Sequence, residues 1–184
     1  DEIRDPSTDA PEGCIFDANR YAIIALLEGL GAQVTDLGIL TDDANTITGA
    51  LEAAAADYDL LVTSGGVSAG EEDHVRNVVE RLGQIHFWRL AIKPGRPIAL
   101  GQVGDVAFLG LPGNPVAAMV TFMVIGRPLV LLLAGATDVE STRFPVEAGF
   151  DYKKKSGRRE WARVKLEVGS NGHPVAEKHH SSGA

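Results

Sequence analysis

The feature that most constrains the fold of this 184-residue chain is a glycine-rich turn between an apolar run and a helical pattern. The apolar run covers residues 60–63, the turn contains Gly65, Gly66 and Gly70, and apolar residues recur at helical spacing from residue 75. Glycines let main-chain N–H groups approach a ligand closely, and a helix N-terminus adds about half a positive charge. The segment therefore predicts a strand–loop–helix crossing suited to phosphate or another oxyanion, although a tight turn without a ligand explains the same residues.

A second loop, at residues 92–97, follows an apolar run over 85–92. Two prolines and a glycine restrict its backbone, so Lys93 and Arg96 lie in a stiff frame. Stiffly held cations lose less entropy on gripping an anion, and an arginine can do so with two hydrogen bonds. The alternative is a proline-bounded β-turn with solvated charges.

A third loop, at residues 110–115, follows the apolar run 106–109. Asn114 is a good N-cap and Pro115 a good first residue of a helix, so the loop needs no ligand as local structure. Yet all three glycine loops are expected at strand ends, where open α/β sheets bind ligands. Together they predict one extended polyanionic ligand.

The hydrophobic periodicity predicts strands that alternate with helices. One short predicted strand ends at Asp17, and the others cover 33–40, 59–64, 86–92, 97–103 and 106–111. The predicted helices cover 18–30 (ended by Gly31), 43–56, 71–82 and 115–126. A further helix is predicted after a break at 126–128. This alternation indicates an α/β fold with a three-layer, mainly parallel sheet. Past Gly135 an alternating pattern with turn residues predicts β hairpins. We expect a leading segment at 1–13, an α/β domain at 14–138 and the start of a truncated β-rich domain at 139–184.

Composition narrows the function classes. Hydrophobic residues make up 45%, which is enough for a core, and the net charge of -8 argues against nucleic-acid binding. The single cysteine, Cys14, rules out an internal disulfide and a cysteine-based zinc site, so we expect a cytoplasmic location. The apolar stretch 116–134 is interrupted by Gly126–Pro128, so we expect a core helix rather than a membrane span.

Three motifs in order carry a family resemblance: TSGGVSAGEEDH at 63–74, KPGRP at 93–97 and GLPGNPVAA at 110–118. They closely resemble the molybdopterin molybdenumtransferases of molybdenum-cofactor biosynthesis and the related gephyrin E domain. Residues 15–21 are similar to the family's strand–"D-x-N"–helix opening, and Asp42 with Asp43 falls where the family has an acidic pair. The resemblance is strong over about residues 1 to 140 and implies a fold of the molybdopterin-binding type.

The resemblance implies that molybdate is inserted into adenylylated molybdopterin with release of AMP, with the help of Mg²⁺. It implies catalytic roles for Glu2, Asp42, Asp73 and Lys93, with the three carboxylates as metal ligands. It also implies substrate-binding roles for a larger set: Ser64, Gly65, Gly66, Ser68, Gly70, Arg89, Pro94, Gly95, Arg96, Pro97, Pro112, Gly113, Asn114 and Arg163. Ala117 departs from the family, many of whose members have a serine there.

Each acidic candidate also has a structural interpretation. Asp73 lies in the first turn of the predicted helix 71–82, where a carboxylate is stabilising by itself, and Asp42 could cap the predicted helix 43–56. Glu2 could be a solvated charge. In the tail, Arg159 or Arg163 resembles an arginine that reaches the family's molybdate site.

Three functions remain open at this stage. The leading one is a molybdenum-inserting transferase, homodimeric in its full-length form, of which this chain is a portion and is not expected to be competent alone. A molybdopterin adenylyltransferase shares the fold and the SGG loop, but would not need the β-rich segment after Gly135. A non-catalytic scaffold that binds molybdopterin is the third, and it predicts no nucleotide turnover.

Overall fold

The computed structural model describes residues 2–67, 74–170 and 172–179. The helices are α1 (Asn19–Glu28), α2 (Ala44–Ala55), α3 (His74–Leu82), α4 (Pro115–Thr121) and α5 (Arg127–Leu133), with a π-helical turn at Phe122–Gly126. The strands are β1 (Ile3–Arg4), β2 (Ile15–Phe16), β3 (Leu60–Ser64), β4 (Gly83–Arg89), β5 (Ile92–Lys93), β6 (Pro97–Val103), β7 (Val106–Leu111), β8 (Glu147–Ala148), β9 (Arg159–Glu160), β10 (Val164–Val168) and β11 (Pro174–Lys178).

The central sheet has the strand order β3-β7-β6-β4, and helices pack on it, so the α/β class is confirmed. The sheet is mainly parallel in direction, as predicted, with one reversed strand. β3, β7 and β4 run the same way, whereas β6 pairs antiparallel with both β7 and β4. The cause is local: β6 and β7 are joined through Gly104 and Asp105 alone, and a two-residue connection permits only a hairpin.

Alternating side chains divide the core into two clusters on opposite faces of the sheet. Phe108 packs with apolar residues of α2 and α3, whereas Leu109 and Leu111 pack with α1 and α4. Ile98 and Ala99 divide between the faces in the same way. Because successive strand residues point to opposite sides, this division produces the predicted three layers.

The predicted strand at 33–40 is wrong, since this segment has no regular structure. The Asp36 side chain accepts a hydrogen bond from the Gly38 N–H at 2.8 Å, and Gly38 has a φ of 75°. This local turn breaks an extended conformation in the middle of the segment. The short strand predicted before Asp17 exists as β2, but it pairs with β1 in a separate ribbon rather than in the central sheet.

The helix from Pro115 to Leu133 continues through Gly126 without a loop, although a break was predicted there. Pro128 has no N–H to donate, and the chain accommodates it after a π turn in which the Arg127 N–H reaches the carbonyl of Phe122. By length and mean hydropathy (2.2) this helix could cross a membrane. About a third of it (33%) is buried, and the buried residues Phe122 and Val130 pack with the sheet.

The segment after Gly135 is β-rich, as predicted. β10, β11 and β8 form one small sheet, and β9 pairs in parallel with β5. This last pairing attaches the C-terminal segment to the loop that carries Lys93. The pairing thereby brings residues of the C-terminal segment next to Lys93.

Candidate functional site

The three glycine loops meet at one edge of the central sheet. Ser64, at the end of β3, lies opposite Leu111, at the end of β7. The antiparallel register places Arg89 opposite Pro97, and Pro97 begins β6 beside the end of β7. The KPGRP loop, which leads into β6, therefore lies at the edge where the SGG and PGN loops emerge.

Asn19 joins the SGG and PGN loops. Its buried side-chain amide donates to Ser64 Oγ at 2.9 Å and to the carbonyl of Gly113 at 2.7 Å. The Ser64 hydroxyl in turn donates to the carbonyl of Pro112 at 3.3 Å. Asn19 had a signal in the sequence, as the last residue of the D-x-N pattern, but that pattern did not predict its bridging role.

The glycines of these loops are needed for different reasons. At Gly66 a Cβ would lie 2.7 Å from Val75 Cγ2, and φ is 66°, so the loop packs closely on the start of α3. The Gly65 N–H donates to the carbonyl of Leu111 at 3.0 Å and is therefore already used within the protein. At the third loop, Asn114 Oδ1 accepts from the Ala117 N–H at 3.0 Å, which confirms it as the cap of α4.

The KPGRP loop packs on the helix that follows β7. Gly95 has a φ of 96°, and a Cβ there would lie only 2.1 Å from the Cγ2 of buried Thr121. The Leu90 N–H donates to the carbonyl of Arg96 at 3.0 Å, which closes the base of the loop. A glycine is therefore required at this contact, and the loop has one position relative to α4.

A cavity of about 560 Å³ opens beside this loop, and we name it the cationic cleft. Its lining residues are Arg89, Leu90, Ala91, Ile92, Lys93, Pro94, Gly95, Arg96, Ser156, Gly157 and Arg158. Within the described lining, four side chains are cations and none is an anion. In a chain of net charge -8, such a local excess of positive charge attracts small anions.

The far wall of the cationic cleft comes from the C-terminal segment. The Arg159 N–H donates to the carbonyl of Ala91 at 2.8 Å, and the Trp161 N–H donates to the carbonyl of Lys93 at 2.9 Å. This β5–β9 pairing holds the turn before β9, with Ser156 and Arg158, against the KPGRP loop. No pattern in the sequence predicts this contact, because both strands are only two residues long.

Arg158 is held by a buried carboxylate. Its Nε lies 2.6 Å from Glu160 Oε1, and the Glu160 side chain is only 5% exposed. The Tyr152 hydroxyl donates to the other oxygen of Glu160. The hydrogen bond from Tyr152, followed by that from Arg158 and the charge of Lys93, lowers the pKa of Glu160 below its usual value, so it stays ionised.

Neither Arg159 nor Arg163 lines the described part of the cationic cleft. Arg159 is exposed on β9, and the Arg163 carbonyl accepts from the His179 N–H at 3.1 Å. The role predicted for Arg163 therefore stays a prediction. Arg158, which no motif indicated, is the arginine of this segment that lines the cleft.

Two of the three predicted magnesium ligands, Glu2 and Asp42, lie in the described residues. Glu2 and Asp42 are exposed, and no group of three or more His, Cys, Asp or Glu side chains in that part of the chain could hold a metal. Asp73, Ser68 and Gly70 lie outside the described residues. Magnesium binding therefore stays a prediction from the resemblance.

The acidic pair Asp42 and Asp43 lies directly before α2. Asp43, and not Asp42, caps α2: its Oδ1 accepts from the Thr46 N–H at 2.8 Å and from the Thr46 hydroxyl at 3.0 Å. These hydrogen bonds lower the pKa of the Asp43 carboxyl. The capping interpretation offered for Asp42 thus belongs to its neighbour.

An ion network that sequence reasoning missed anchors the N-terminal part of α1. The Arg20 guanidinium contacts Asp5, Asp17 and Asp36, at 2.7 Å for Nη1 to Asp36 Oδ2. Tyr21 donates to Asp5 as well, at 3.1 Å. The network ties the leading segment to the helix that carries Asn19.

Comparisons with known proteins agree with this geometry. Residues 1–131 match the family model described as "Probable molybdopterin binding domain". The chain is 42% identical over 164 residues to a molybdopterin molybdenumtransferase of Haemophilus influenzae, covering 89% of this chain and 41% of that protein. It is 33% identical over 178 residues to the molybdopterin molybdenumtransferase of Nostoc sp., covering 93% of this chain and 41% of that protein.

Among solved structures, the molybdopterin biosynthesis MoeA protein from Pyrococcus horikosii superposes with a TM-score of 0.78 at 27% identity, covering 99% of this chain and 44% of that one. The chain thus spans about two fifths of the length of the curated relatives that it matches.

Proposed function

Because this chain belongs to the family of probable molybdopterin-binding domains, we propose that its protein inserts molybdate into adenylylated molybdopterin and releases AMP. The single observation that supports this most is the cationic cleft, which the KPGRP loop lines at the sheet edge where the SGG and PGN loops also emerge. Relatives named molybdopterin molybdenumtransferase, 42% and 33% identical, support the same activity.

The reactants explain why such a cleft is useful. Molybdate is a doubly charged tetrahedral oxyanion, and the pterin substrate carries phosphates, so the two repel each other in water. Lys93 supplies a compact charge for an oxyanion, while Arg89 and Arg96 can each offer two parallel N–H groups. Cations held in place before the reactants arrive lower this repulsion without having to reorganise.

The glycine loops would hold the adenylylated pterin beside the molybdate. A Cβ at Gly113 would meet no described atom closer than 3.7 Å, so a ligand can approach the backbone there. Within the described residues, the Asn114 side chain uses its Oδ1 for the helix cap, which leaves its N–H₂ group to donate to a ligand. Ser64, Pro112 and the KPGRP residues Pro94, Gly95 and Pro97 then act by shaping the edge. During insertion the two dithiolene thiols would replace two molybdate oxygens, which leave as water. One water adds to the phosphoanhydride, which separates into AMP and the pterin phosphate and releases the two further protons that the departing oxygens take up.

Magnesium is proposed only from the family resemblance, with Asp73, Asp42 and Glu2 as its candidate ligands. When bound, a divalent cation would balance phosphate charge. Magnesium binding is tested separately by measuring AMP release as Mg²⁺ is added. We expect release to increase with Mg²⁺ in the wild type and not to respond to Mg²⁺ in Asp73→Asn.

We also infer that the intact protein is a homodimer, as the family resemblance implies. Light scattering over a hundredfold range of protein concentration tests this. A constant monomer mass would contradict the inference without affecting the proposed chemistry.

The experiment for the activity measures AMP released from adenylylated molybdopterin by the intact protein, with and without molybdate. We expect release to depend on molybdate, to fall about tenfold or more in Lys93→Ala, and to persist in Lys165→Ala, which removes an exposed cation far along the chain on β10. Formation of adenylylated pterin from ATP with pyrophosphate release would support an adenylyltransferase instead. No nucleotide turnover at all would support a scaffold.

A further inference from the structure

One buried side chain sets the distance between the SGG and PGN loops. Asn19 is 9% exposed and is the first residue of α1. Its amide nitrogen donates one hydrogen to Ser64 Oγ at 2.9 Å and the other to the Gly113 carbonyl at 2.7 Å. An amide nitrogen carries only two hydrogens, so both are used. The two acceptors therefore lie no farther apart than these two hydrogen bonds together allow.

The backbone beside this amide is open to a ligand. A Cβ added at Gly65 would meet no described atom within 4 Å, and one added at Gly113 would meet only the Gly65 Cα, at 3.7 Å. The two glycines therefore lie side by side, and within the described residues a ligand can approach both of them closely.

Asn19 makes the contact with the PGN loop that lies farthest from the sheet. The Gly65 N–H donates to the Leu111 carbonyl at 3.0 Å, and the Ser64 hydroxyl donates to the Pro112 carbonyl at 3.3 Å. These two hydrogen bonds continue the β3–β7 pairing, in which Ser64 lies opposite Leu111. Gly113 lies beyond that pairing and is held by Asn19. Loss of the Asn19 amide would therefore release the tip of the PGN loop and leave the strands paired.

The neighbouring Arg20 fixes the first turn of α1, which carries Asn19. The Arg20 N–H donates to Asp17 Oδ1 at 3.1 Å, and its guanidinium pairs with Asp5, Asp17 and Asp36. The Arg20 side chain is only 16% exposed, so solvent screens this network less than it screens a surface ion pair. The Asn19 amide is thus anchored before any ligand arrives.

We propose that Asn19 is a positioning residue for the adenylyl part of the substrate. It acts by holding the SGG and PGN loops at the separation that a nucleoside monophosphate needs. The inference rests on the proposed function for its choice of ligand. It requires no contact between Asn19 and the ligand, and it concerns the gap between these two loops rather than the cationic cleft.

The first test is calorimetric titration of the intact protein with AMP and, separately, with molybdate. We expect Asn19→Ala to weaken AMP binding about tenfold and to leave molybdate binding unchanged, because the cationic cleft keeps its charges. Asn19→Asp keeps the size of the side chain but has no hydrogens to donate, so it should lose at least as much AMP affinity. Equal losses for AMP and molybdate, or wild-type AMP affinity in both variants, would overturn the proposal.

Two control variants separate positioning from charge and from stability. Asn45→Asp makes the same chemical change at an exposed residue in the first turn of α2, and it should bind AMP as the wild type does. Leu27→Ala removes a buried side chain about two turns further along α1, so it destabilises the same helix without removing a hydrogen bond to either loop. It should also keep wild-type AMP affinity at a temperature where thermal melts show it folded. An AMP loss in Leu27→Ala equal to that in Asn19→Ala would contradict a role in positioning.

A milder variant keeps the test decisive if Asn19→Ala does not fold. Ser64→Ala removes one of the two acceptors and leaves the bond to Gly113, so it should weaken AMP binding about threefold. Where both single variants fold, the double variant should lose no more than Asn19→Ala alone, because the two residues act through one contact. Wild-type AMP affinity in Ser64→Ala, or additive losses in the double variant, would overturn the proposal.

The kinetics of AMP release keep this inference distinct from the proposed function. A loop gap that holds the substrate equally before and during the reaction affects KM and not kcat. Asn19→Ala should therefore raise the KM for adenylylated molybdopterin about tenfold with kcat nearly unchanged. A wild-type protein whose AMP affinity depends on Asn19, but which releases no AMP, would overturn the proposed function and leave this inference standing. Molybdate-dependent release with a wild-type KM in Asn19→Ala would do the reverse.

Discussion

At the scale of single residues, the cationic cleft owes its shape to backbone contacts on both sides of its charges. The Lys93 carbonyl is bound by the Trp161 N–H and the Arg96 carbonyl by the Leu90 N–H, so the two side chains project from anchored backbone. Gly95 between them contacts α4. Mutation of Lys93 or Arg96 therefore tests the charges of the loop, and mutation of Gly95 tests its position.

The first prediction compares the two cations of the loop. Lys93→Ala should weaken molybdate and AMP binding more than Arg96→Ala does, because Lys93 matches the family without substitution whereas a lysine is common at the position of Arg96. A charged hydrogen bond contributes about 1.5–3 kcal/mol, or about one to two decades in affinity. Titrations at two ionic strengths measure the difference, which should shrink as salt rises because both side chains are exposed. Wild-type affinity for both ligands in Lys93→Ala would remove the loop from the site.

The second prediction concerns position rather than charge. Gly95→Ala should destabilise the protein by about 1–3 kcal/mol more than Gly135→Ala does, as measured by urea denaturation. Both glycines have a positive φ, at 96° and 83°, but only the new Cβ at 95 meets Thr121. Oxyanion affinity should fall in Gly95→Ala but not in Gly135→Ala. Because neither variant loses a charge, the fall would come from the displaced position of the loop. Equal destabilisation in both would show that the contact with α4 does not hold the loop.

At the scale of secondary-structure elements, two capping side chains set where the helices α2 and α4 begin. Asn114 caps α4 directly after β7, and Asp43 caps α2 ahead of β3. Each cap uses a side-chain oxygen to satisfy an N–H in the first helical turn.

The third prediction follows from the lowered pKa of Asp43. Because the folded protein holds this pKa below its ordinary 3.8, the carboxylate stabilises the fold above that value, and the contribution disappears as the pH falls through the folded pKa. Asp43→Ala should therefore lower the melting temperature at pH 7, and the difference from the wild type should narrow towards pH 2. Asp43→Asn, which caps without ionising, should lose less, and Asp42→Ala should change little. A melting temperature of Asp43→Ala equal to that of Asp42→Ala at pH 7 would contradict the capping role.

Elements set by local signals could be predicted from the sequence, and those set by distant contacts could not. The strands 97–103 and 106–111 are confirmed at their predicted bounds, because a Gly104–Asp105 turn separates two strongly apolar runs. Gly31, predicted to end the first helix, has a φ of 85° and donates to the carbonyl of Glu28, but the helix ends earlier and its C-cap is Gly29. The strand predicted at 33–40 does not form, because the Asp36 side chain accepts hydrogen bonds from the Gly38 N–H and from the Arg20 guanidinium. The hydrophobic periodicity of the sequence indicates neither contact.

The same distinction holds for the site. The motifs predicted Lys93, Arg96 and Arg89, and these residues do line one cleft. Arg158 could not be predicted, because its place depends on the two-residue pairing of β9 with β5. Glu160 was missed for the same reason, since its partners are set by that pairing.

At the scale of the whole molecule, we propose that the α/β domain ends near residue 138 and that a β-rich domain follows. Residues 137–146 contain no helix or strand, whereas β6 and β7 are central strands of the sheet. Hydrogen exchange should therefore be fast over 137–146 and slow over 97–103. Protection of 137–146 equal to that of β6 would contradict a boundary there.

The measurement that tests the central claim most directly is anomalous diffraction from crystals of the intact protein soaked in tungstate, a heavier analogue of molybdate. We predict a tungsten peak inside the cationic cleft, within hydrogen-bond reach of Lys93 and of at least one of Arg96 and Arg158. The peak should be weaker in Lys93→Ala crystals. A strong tungsten peak at another site, with none in the cleft, would contradict it.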